Sequence, residues 1–178
     1  MRRIYPAIST MILAVCLSLN VAAQSPEKLV GLYAPDFNLS GSIGGSHRLS
    51  TMIKNGPVVV AWFPKAYTGN CETMLKSLAA VKQQLSARNV TLVAASGDKL
   101  KYLKPYAESL GLDYPILADP TRTHAAAWTV VGDGRELPRR WIFLIGRDGK
   151  IASVLSDFSA AEAGKGVLDE AGKLGWMK

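Results

Sequence analysis

The sequence predicts an α/β protein in which helices cover both faces of a central mixed β-sheet. A continuous apolar run at residues 58–63 and a mostly apolar one at 90–95 are typical of strands buried on both faces. A helical pattern of apolar residues follows each run. Further along, the turn sequence at 147–150, Arg-Asp-Gly-Lys, lies between two more apolar runs and predicts a hairpin. Parallel strands joined by a helix and followed by an antiparallel hairpin form a mixed sheet that needs cover on both faces.

The predicted elements follow in order along the chain. Residues 24–57 are rich in Gly, Ser and Pro and predict an irregular segment with at most short edge strands. The first buried strand must end at Pro64, and the helix after it, at 71–88, carries Cys71 in its first turn. The later elements are a strand at 90–95, a helix at 100–110 ended by Gly111, a helix at 121–128, hairpin strands at 141–145 and 151–155, and a helix at 159–175. This arrangement is thioredoxin-like.

The composition is that of one ordinary globular domain. The chain has 178 residues, of which 48% are hydrophobic and 20% charged, which excludes collagen, coiled coil and disorder. A domain of about 150 residues buries enough surface to fold without disulfides or metals. Two cysteines, Cys16 and Cys71, and two distant histidines, His47 and His124, form neither a disulfide framework nor a zinc site. We therefore predict no metal and no cofactor.

Residues 1–23 have the pattern of a cleaved secretory signal. Arg2 and Arg3 precede a mostly apolar run at 8–19, and small residues at 21–23 offer a cleavage site before Gln24. A membrane anchor is the first alternative, but the run is much shorter than the ~20 residues that span a bilayer. Lipidation at Cys16 is the second alternative. We predict that residues 24–178 are exported, to the periplasm if the host is Gram-negative.

Removal of this segment changes the charge and leaves one thiol. The formal net charge of +7 falls to +5 with the loss of Arg2 and Arg3. The basic residues are dispersed, so we predict no nucleic-acid partner and, after cleavage, no membrane partner. Cys71 becomes the only cysteine of the mature chain. An unpaired thiol is a liability in an export compartment, so a functional role is expected.

The segment 64–71 lies between a strand end and a helix start, where α/β proteins collect their ligands. The N-terminus of a helix favours a thiolate. Because an ordinary thiol is a few per cent ionised at pH 7, full ionisation raises its reactivity by roughly 30-fold at most. Any larger acceleration requires groups that act on the substrate, and Thr68 and an arginine are the natural candidates.

The motif Pro-x-x-x-Thr-x-x-Cys at 64–71 resembles the peroxidatic motif of the peroxiredoxins. The resemblance extends over roughly residues 30–160 and includes the segments 34–37, 111–120 and 140–151. It is greatest to the bacterioferritin-comigratory-protein, or thiol peroxidase Q, branch of the alkyl hydroperoxide reductase and thiol-specific antioxidant superfamily. This resemblance implies a thiol peroxidase that reduces hydrogen peroxide, organic hydroperoxides or both, and the signal pattern at 1–23 implies that the enzyme is exported.

The resemblance also implies a role for each motif residue. The Cys71 thiolate would attack one peroxide oxygen, release water or alcohol and become a sulfenic acid. Thr68 would orient the peroxide, although it could also be a simple helix cap. Arg140 would stabilise the thiolate and the peroxide oxygens, with the adjacent Arg139 as an alternative. Pro64 would shield the thiolate from water.

The sequence departs from the family pattern in three ways. Gly69-Asn70 replaces the usual Pro-Gly, Met74 stands where Glu or Gln usually supports the loop, and Lys76 stands where this branch often has its resolving cysteine. The pattern is that of a one-cysteine peroxiredoxin. It would be recycled by a thioredoxin-like, glutaredoxin-like or low-molecular-weight thiol, or by Cys71 of a second copy. Monomers and homodimers are both compatible with the sequence.

Two other interpretations compete with the peroxidase. A non-enzymatic thioredoxin-fold protein that binds a partner would explain Met74 and the missing second cysteine. A disulfide reductase or copper-delivery protein would need a second cysteine close to the first, and the sequence has none there. Four aromatic residues near the predicted strands are expected to belong to the core rather than to line a pocket: Trp62, Tyr67, Trp128 and Trp141.

Overall fold

The structure is a computed structural model that describes residues 25–178. The predicted signal segment at 1–23 lies outside the described residues. The strands are β1 (Asn38–Ser40), β2 (Ser46–Arg48), β3 (Val58–Trp62), β4 (Thr91–Ser96), β5 (Ile116–Ala118), β6 (Trp141–Ile145) and β7 (Ile151–Leu155). The α-helices are α1 (Leu49–Asn55), α2 (Gly69–Ser86), α3 (Leu100–Ser109), α4 (Thr123–Ala127) and α5 (Ala163–Lys173). No helix among residues 25–178 is both long enough and apolar enough to cross a membrane.

Strand β3 lies in the middle of a five-stranded sheet of order β5-β4-β3-β6-β7. β3 pairs in parallel with β4, and β4 pairs in parallel with β5. On the other side, β6 is antiparallel to β3, and β7 is antiparallel to β6. The predicted mixed sheet and the predicted hairpin are both confirmed. Trp62, the last residue of β3, pairs with Trp141, the first residue of β6. The end of β3 and the start of β6 therefore lie at the same edge of the sheet.

Successive side chains of β3 point to opposite faces, and each face has its own apolar cluster. Val59 and Ala61 pack with residues of α2, α3 and α5. Val58, Val60 and Trp62 pack with the other cluster, which includes aromatic residues from outside the sheet. All five residues of β3 are buried, as expected for a strand covered on both sides. The thioredoxin-like arrangement predicted from the sequence is confirmed.

The segment 24–57 is more regular than its composition predicts, because it contains helix α1. This helix has no capping side chain at its own N-cap. Instead, the Asp36 carboxylate accepts hydrogen bonds from the backbone N–H and the hydroxyl of Ser50, at 3.0 and 2.8 Å. Burial alone would raise the pKa of Asp36, but these hydrogen bonds and the nearby Arg48 outweigh it and lower the pKa. A partner 14 residues away thus stabilises a helix start.

Other elements differ from the predictions mainly at their ends. Helix α2 begins at Gly69 rather than Cys71, so Cys71 is its third residue. The predicted helix at 121–128 is limited to Thr123–Ala127. The last helix begins at Ala163, after a single 3-10 turn at Ala160–Glu162. The short strand β5 was not predicted, because its three residues form a strand only through pairing with β4.

Helix α5 packs so closely on α2 that it requires glycine at position 164. The Gly164 N–H donates to the Ser77 hydroxyl at 3.0 Å, and a Cβ at position 164 would lie 2.2 Å from the Ser77 carbonyl oxygen. We expect Gly164→Ala to lower the free energy of unfolding by about 1–3 kcal/mol, because the helices must separate. Urea denaturation measures this change.

Gly172 in the same helix provides a matched control, since a Cβ there would contact nothing within 4 Å. Gly172→Ala is expected to leave stability unchanged or to raise it by up to about 1 kcal/mol, because alanine favours the helix. Equal urea midpoints for Gly164→Ala and Gly172→Ala would contradict the requirement for close packing.

Candidate active site

The loop between β3 and α2 is held by a carboxylate that follows the neighbouring strand. The Asp98 Oδ2 atom accepts hydrogen bonds from the Ala66 backbone N–H at 2.7 Å and from the Ser96 hydroxyl at 2.8 Å. Asp98 lies 32 residues from Ala66 in sequence, just beyond the end of β4. Because both strands are parallel, their carboxyl ends meet at this edge, and Asp98 fixes the loop that precedes Cys71. The sequence analysis did not single out Asp98.

Cys71 lies in the first turn of α2 with only 2% of its surface exposed. It belongs to the apolar cluster that also contains Ala61, Phe63 and Ala66. The first N–H groups of a helix have no partner within the helix, and they favour negative charge nearby. The Cys71 sulfur is thus buried in apolar surroundings at the positive end of α2, which is the placement that the sequence predicts.

Thr68 is the N-cap residue of α2, but its side chain makes no capping hydrogen bond. The alternative role of a simple side-chain cap is therefore wrong. Its hydroxyl instead donates to the Lys65 carbonyl oxygen at 2.9 Å, while its own carbonyl accepts from the Glu72 N–H. This arrangement orients the hydroxyl oxygen and leaves its lone pairs free to accept a hydrogen bond from a bound molecule.

An open cavity of about 370 Å³ lies at the edge where β3 ends and β6 begins. Its walls contain apolar and basic side chains and one carboxylate. They are Pro64, Arg135, Arg139, Arg140, Trp141, Ser156, Asp157 and Phe158. The structure thus brings Pro64 and Arg140 to one cavity across 76 positions of sequence. Thr68 and Cys71 are not among the residues that line it.

The two adjacent arginines have different surroundings. The Arg139 guanidinium lies 3.4 Å from an Asp133 carboxylate oxygen and 5.5 Å from the centre of the Trp141 ring. Arg140 is half-buried and forms no ion pair within residues 25–178. A guanidinium without a carboxylate partner keeps all its donors for a ligand. Of the two candidates, Arg140 is the one whose charge is free.

Tyr106 of α3 is a buried neighbour of the site that the sequence analysis missed. Burial, and after it negative charge at Cys71 and Glu72, together raise its pKa to about 12. The backbone N–H of Tyr67 partly offsets this, although the Tyr106 hydroxyl makes no hydrogen bond of normal geometry within residues 25–178. At neutral pH the phenol is therefore a protonated donor in the apolar cluster that contains Cys71.

The four aromatic residues assigned to the core have three outcomes. Trp62 and Trp128 are buried in the apolar cluster, as predicted. Trp141 belongs to this cluster and also lines the cavity. Tyr67 was assigned wrongly: it is 61% exposed, its backbone has a positive φ of 59°, and its ring centre lies 4.6 Å from that of Tyr106.

Two of the departures from the family pattern have a structural explanation. Met74 is fully buried in the same apolar cluster as Cys71, so this position supplies packing rather than hydrogen bonds. Lys76 lies on the exposed side of α2, where it pairs with Glu72 at 2.7 Å. A residue at position 76 therefore faces solvent in this structure, whereas Cys71 faces the core.

Within residues 25–178, no three His, Cys, Asp or Glu side chains are grouped so as to hold a metal ion.

The chain was compared with protein families and with solved structures. The sequence profile of the AhpC/TSA family matches residues 30–154. Peroxiredoxin Bcp of Escherichia coli K12 is 29% identical over 154 residues, covering 83% of this chain and 94% of the relative. Peroxidoxin BcpB of Mycobacterium tuberculosis has a TM-score of 0.74 at 28% identity, covering 82% of this chain and 97% of that structure. Peroxiredoxin Q of Xanthomonas campestris shares the fold, with a TM-score of 0.71 at 19% identity over 77% of this chain and 90% of that structure.

The structure has a thioredoxin-like sheet, and a cysteine lies at the start of the helix that follows the central strand. The AhpC/TSA family matches most of this chain. The chain belongs to the AhpC/TSA family, and it is a thiol-dependent peroxidase. Within that family it is a peroxiredoxin of the Bcp and peroxiredoxin Q branch. The resemblance inferred from the motif at 64–71 is confirmed, and the non-enzymatic interpretation is wrong.

Proposed function

We propose that Cys71 is the peroxidatic residue of an exported enzyme that reduces hydrogen peroxide, organic hydroperoxides or both. The observation that carries this proposal is the placement of Cys71. It is buried in the first turn of α2, and the loop before it begins at Pro64 on the cavity that Arg140 also lines. A nucleophile at the positive end of a helix and a free cation at the same sheet edge supply two components of peroxide reduction.

The first chemical step transfers one oxygen to sulfur. The Cys71 thiolate attacks the near oxygen of the peroxide, so an S–O bond forms while the O–O bond breaks. The departing oxygen takes a proton and leaves as water or alcohol, and sulfur is oxidised to sulfenic acid. Arg140 stabilises the negative charge as it moves to the departing oxygen. The hydroxyl oxygen of Thr68 accepts a hydrogen bond from the peroxide O–H and so orients the molecule, while the proton itself ends on the departing oxygen, and Pro64 restricts water.

The second half of the cycle requires a thiol from outside the mature chain, because Cys71 is the only cysteine in residues 24–178. An external thiol condenses with the sulfenic acid, releases water and leaves a mixed disulfide. A second thiol then attacks that disulfide and restores Cys71. A thioredoxin-like protein, a glutaredoxin-like protein or a small thiol supplies both equivalents. Cys71 of a second copy replaces the first thiol if the enzyme is a homodimer.

Export belongs to the same proposal and depends on residues 1–23. Their basic start, apolar run and small residues support cleavage before Gln24. The intact mass of protein from a Gram-negative periplasmic fraction tests this, and the expected mass is that of residues 24–178. A mass that retains residues 1–23, or one that includes a lipid on Cys16, would contradict cleavage at this site.

Rapid mixing tests the chemistry directly. Purified protein is mixed with one equivalent of hydrogen peroxide, quenched with a sulfenic-acid trap and analysed by intact mass. We expect one trapped oxygen on Cys71, at a rate that exceeds that of a small thiol by more than the roughly 30-fold that ionisation alone provides. A rate at or below this limit would contradict assisted peroxide reduction at Cys71.

The enzyme is expected to be inactivated by excess peroxide. A sulfenic acid without a resolving cysteine in its own chain remains open to further oxidation to sulfinic acid. During turnover with a small thiol, a tenfold excess of peroxide over thiol should produce a progressive loss of rate and a mass gain of two oxygens on Cys71. Full turnover after prolonged exposure would contradict this prediction.

A further inference from the structure

We propose that Arg135 and Arg139 extend the peroxide site into an anion-binding pocket, which makes the enzyme prefer small hydroperoxides that carry a carboxylate. This inference rests on the proposed function of Cys71 and Arg140. It concerns the part of the 370 Å³ cavity that peroxide reduction itself does not use.

The cavity has an excess of positive charge. Three guanidinium groups line it, and Asp157 is the one carboxylate among its lining residues. Within residues 25–178, neither Arg135 nor Arg140 forms an ion pair, and Asp157 forms none either. Arg139 has a partner in Asp133, but both side chains are partly exposed, and pairs of this kind are weak. An incoming carboxylate therefore meets uncompensated donors.

Backbone hydrogen bonds hold the two additional arginines at the cavity. Gly132 and Arg135 exchange backbone hydrogen bonds at 3.2 and 2.9 Å, which closes a tight turn. The Arg139 backbone N–H donates to the Val130 carbonyl oxygen at 2.7 Å, and Arg139 lies two residues before Trp141, where β6 begins. The guanidinium of Arg139 also lies against the Trp141 ring. The backbone positions of both arginines are therefore fixed at the cavity, and the side chain of Arg139, held against Trp141, loses less conformational entropy when it binds a ligand.

The cavity is far larger than hydrogen peroxide requires. One water molecule occupies about 30 Å³ in the liquid, and a peroxide molecule is only slightly larger. The walls of the cavity are mostly polar, and Pro64, Trp141 and Phe158 supply a smaller apolar part. A ligand with a short hydrocarbon body and a negative end matches this combination, because guanidinium binds carboxylate through two parallel hydrogen bonds.

The proposal also gives the ligand a direction. Pro64 and Arg140 line the same cavity, and Pro64 begins the loop that leads to Cys71 in α2. In this proposal Arg135 and Arg139 bind the carboxylate, and the hydroperoxide group lies at Arg140 and Pro64. The reaction at Cys71 is unchanged: the O–O bond breaks, the sulfur gains one oxygen, and the alcohol leaves with its carboxylate intact.

Matched substrates test the preference. The probes are 3-hydroperoxy-3-methylbutanoate and its methyl ester, which differ in charge at the end remote from the hydroperoxide. The rate constant for the reaction of each hydroperoxide with the protein is divided by the rate constant for the reaction of the same hydroperoxide with a free small thiol. For wild-type protein at low salt we expect a carboxylate-to-ester ratio of about 10 or more, which added salt reduces. The double variant Arg135→Gln/Arg139→Gln is expected to reduce the ratio to about 1.

A double variant with the same change in net charge provides the control. Arg147 lies beyond the other end of β6, and Arg88 follows α2, so neither lines the cavity. Arg88→Gln/Arg147→Gln is expected to retain the wild-type ratio. A wild-type ratio near 1, or an equal loss in both double variants, would overturn the proposal, because general charge would then explain the effect.

A binding measurement separates this proposal from the proposed peroxidase function. The probe is 3-hydroxy-3-methylbutanoate, the reduced product, titrated into the Cys71→Ser variant by calorimetry. Binding of this acid, no binding of its methyl ester and loss of binding in Arg135→Gln/Arg139→Gln support the anion pocket even if wild-type protein fails to reduce peroxide. Rapid reduction of hydrogen peroxide without any binding of the acid overturns the pocket and leaves the peroxidase intact.

Discussion

Substitution of Cys71 by serine is expected to abolish peroxide consumption. Serine replaces the sulfur with an oxygen whose hydroxyl does not ionise at neutral pH, so neither a thiolate nor a sulfenic acid can form. The loss should be complete for both hydrogen peroxide and organic hydroperoxides. Stopped-flow measurement of peroxide consumption, with a small thiol as reductant, gives the rate for wild-type and variant protein.

The side chain is nearly isosteric, so loss of activity should not reflect loss of the fold. Cys71 lies in an apolar cluster, and a serine hydroxyl there is expected to cost about 1–3 kcal/mol. Ser77→Ala is unsuitable as a comparison because that hydroxyl joins α2 to α5. Thr73→Ala is the better matched control, since it lies on the exposed side of α2, and it should retain activity. Wild-type peroxide consumption by folded Cys71→Ser would refute the assignment.

Arg140→Gln is expected to lower the second-order rate constant for hydrogen peroxide by about 10²–10³-fold. Removal of one preorganised donor to developing negative charge has a cost of this size in other enzymes. Glutamine keeps a donor but loses the positive charge. Arg140→Lys keeps the charge but loses the planar pair of donors, so we expect an intermediate loss. The rate is measured by rapid mixing with one equivalent of peroxide.

Two further variants decide which arginine has this role. Arg147→Gln removes the same charge from the opposite end of the hairpin and should keep the wild-type rate. Arg139→Gln tests the alternative that the sequence left open. A loss of about 10²-fold in Arg139→Gln, together with a nearly wild-type rate in Arg140→Gln, would transfer the role to Arg139. The free guanidinium of Arg140 and the Asp133 partner of Arg139 favour the opposite result.

The sequence by itself determined the sheet and the position of the nucleophile. The buried strands, the amphipathic helix after Pro64 and the hairpin around 147–150 are visible because hydrophobic periodicity is a local property of the chain. The same local pattern placed Cys71 in the first turn of a helix, within two residues of the observed start. The spacing within 64–71 then pointed to the family that the comparison identified.

Only the tertiary structure decided which distant groups support these local elements. Helix α1 depends on Asp36, strand β5 on pairing with β4, and the loop before Cys71 on Asp98, and each partner is remote in sequence. The convergence of Pro64 with Arg139 and Arg140 follows from the register between β3 and β6. Periodicity reports which face of an element is buried, whereas a specific hydrogen bond or cavity depends on which elements meet after folding.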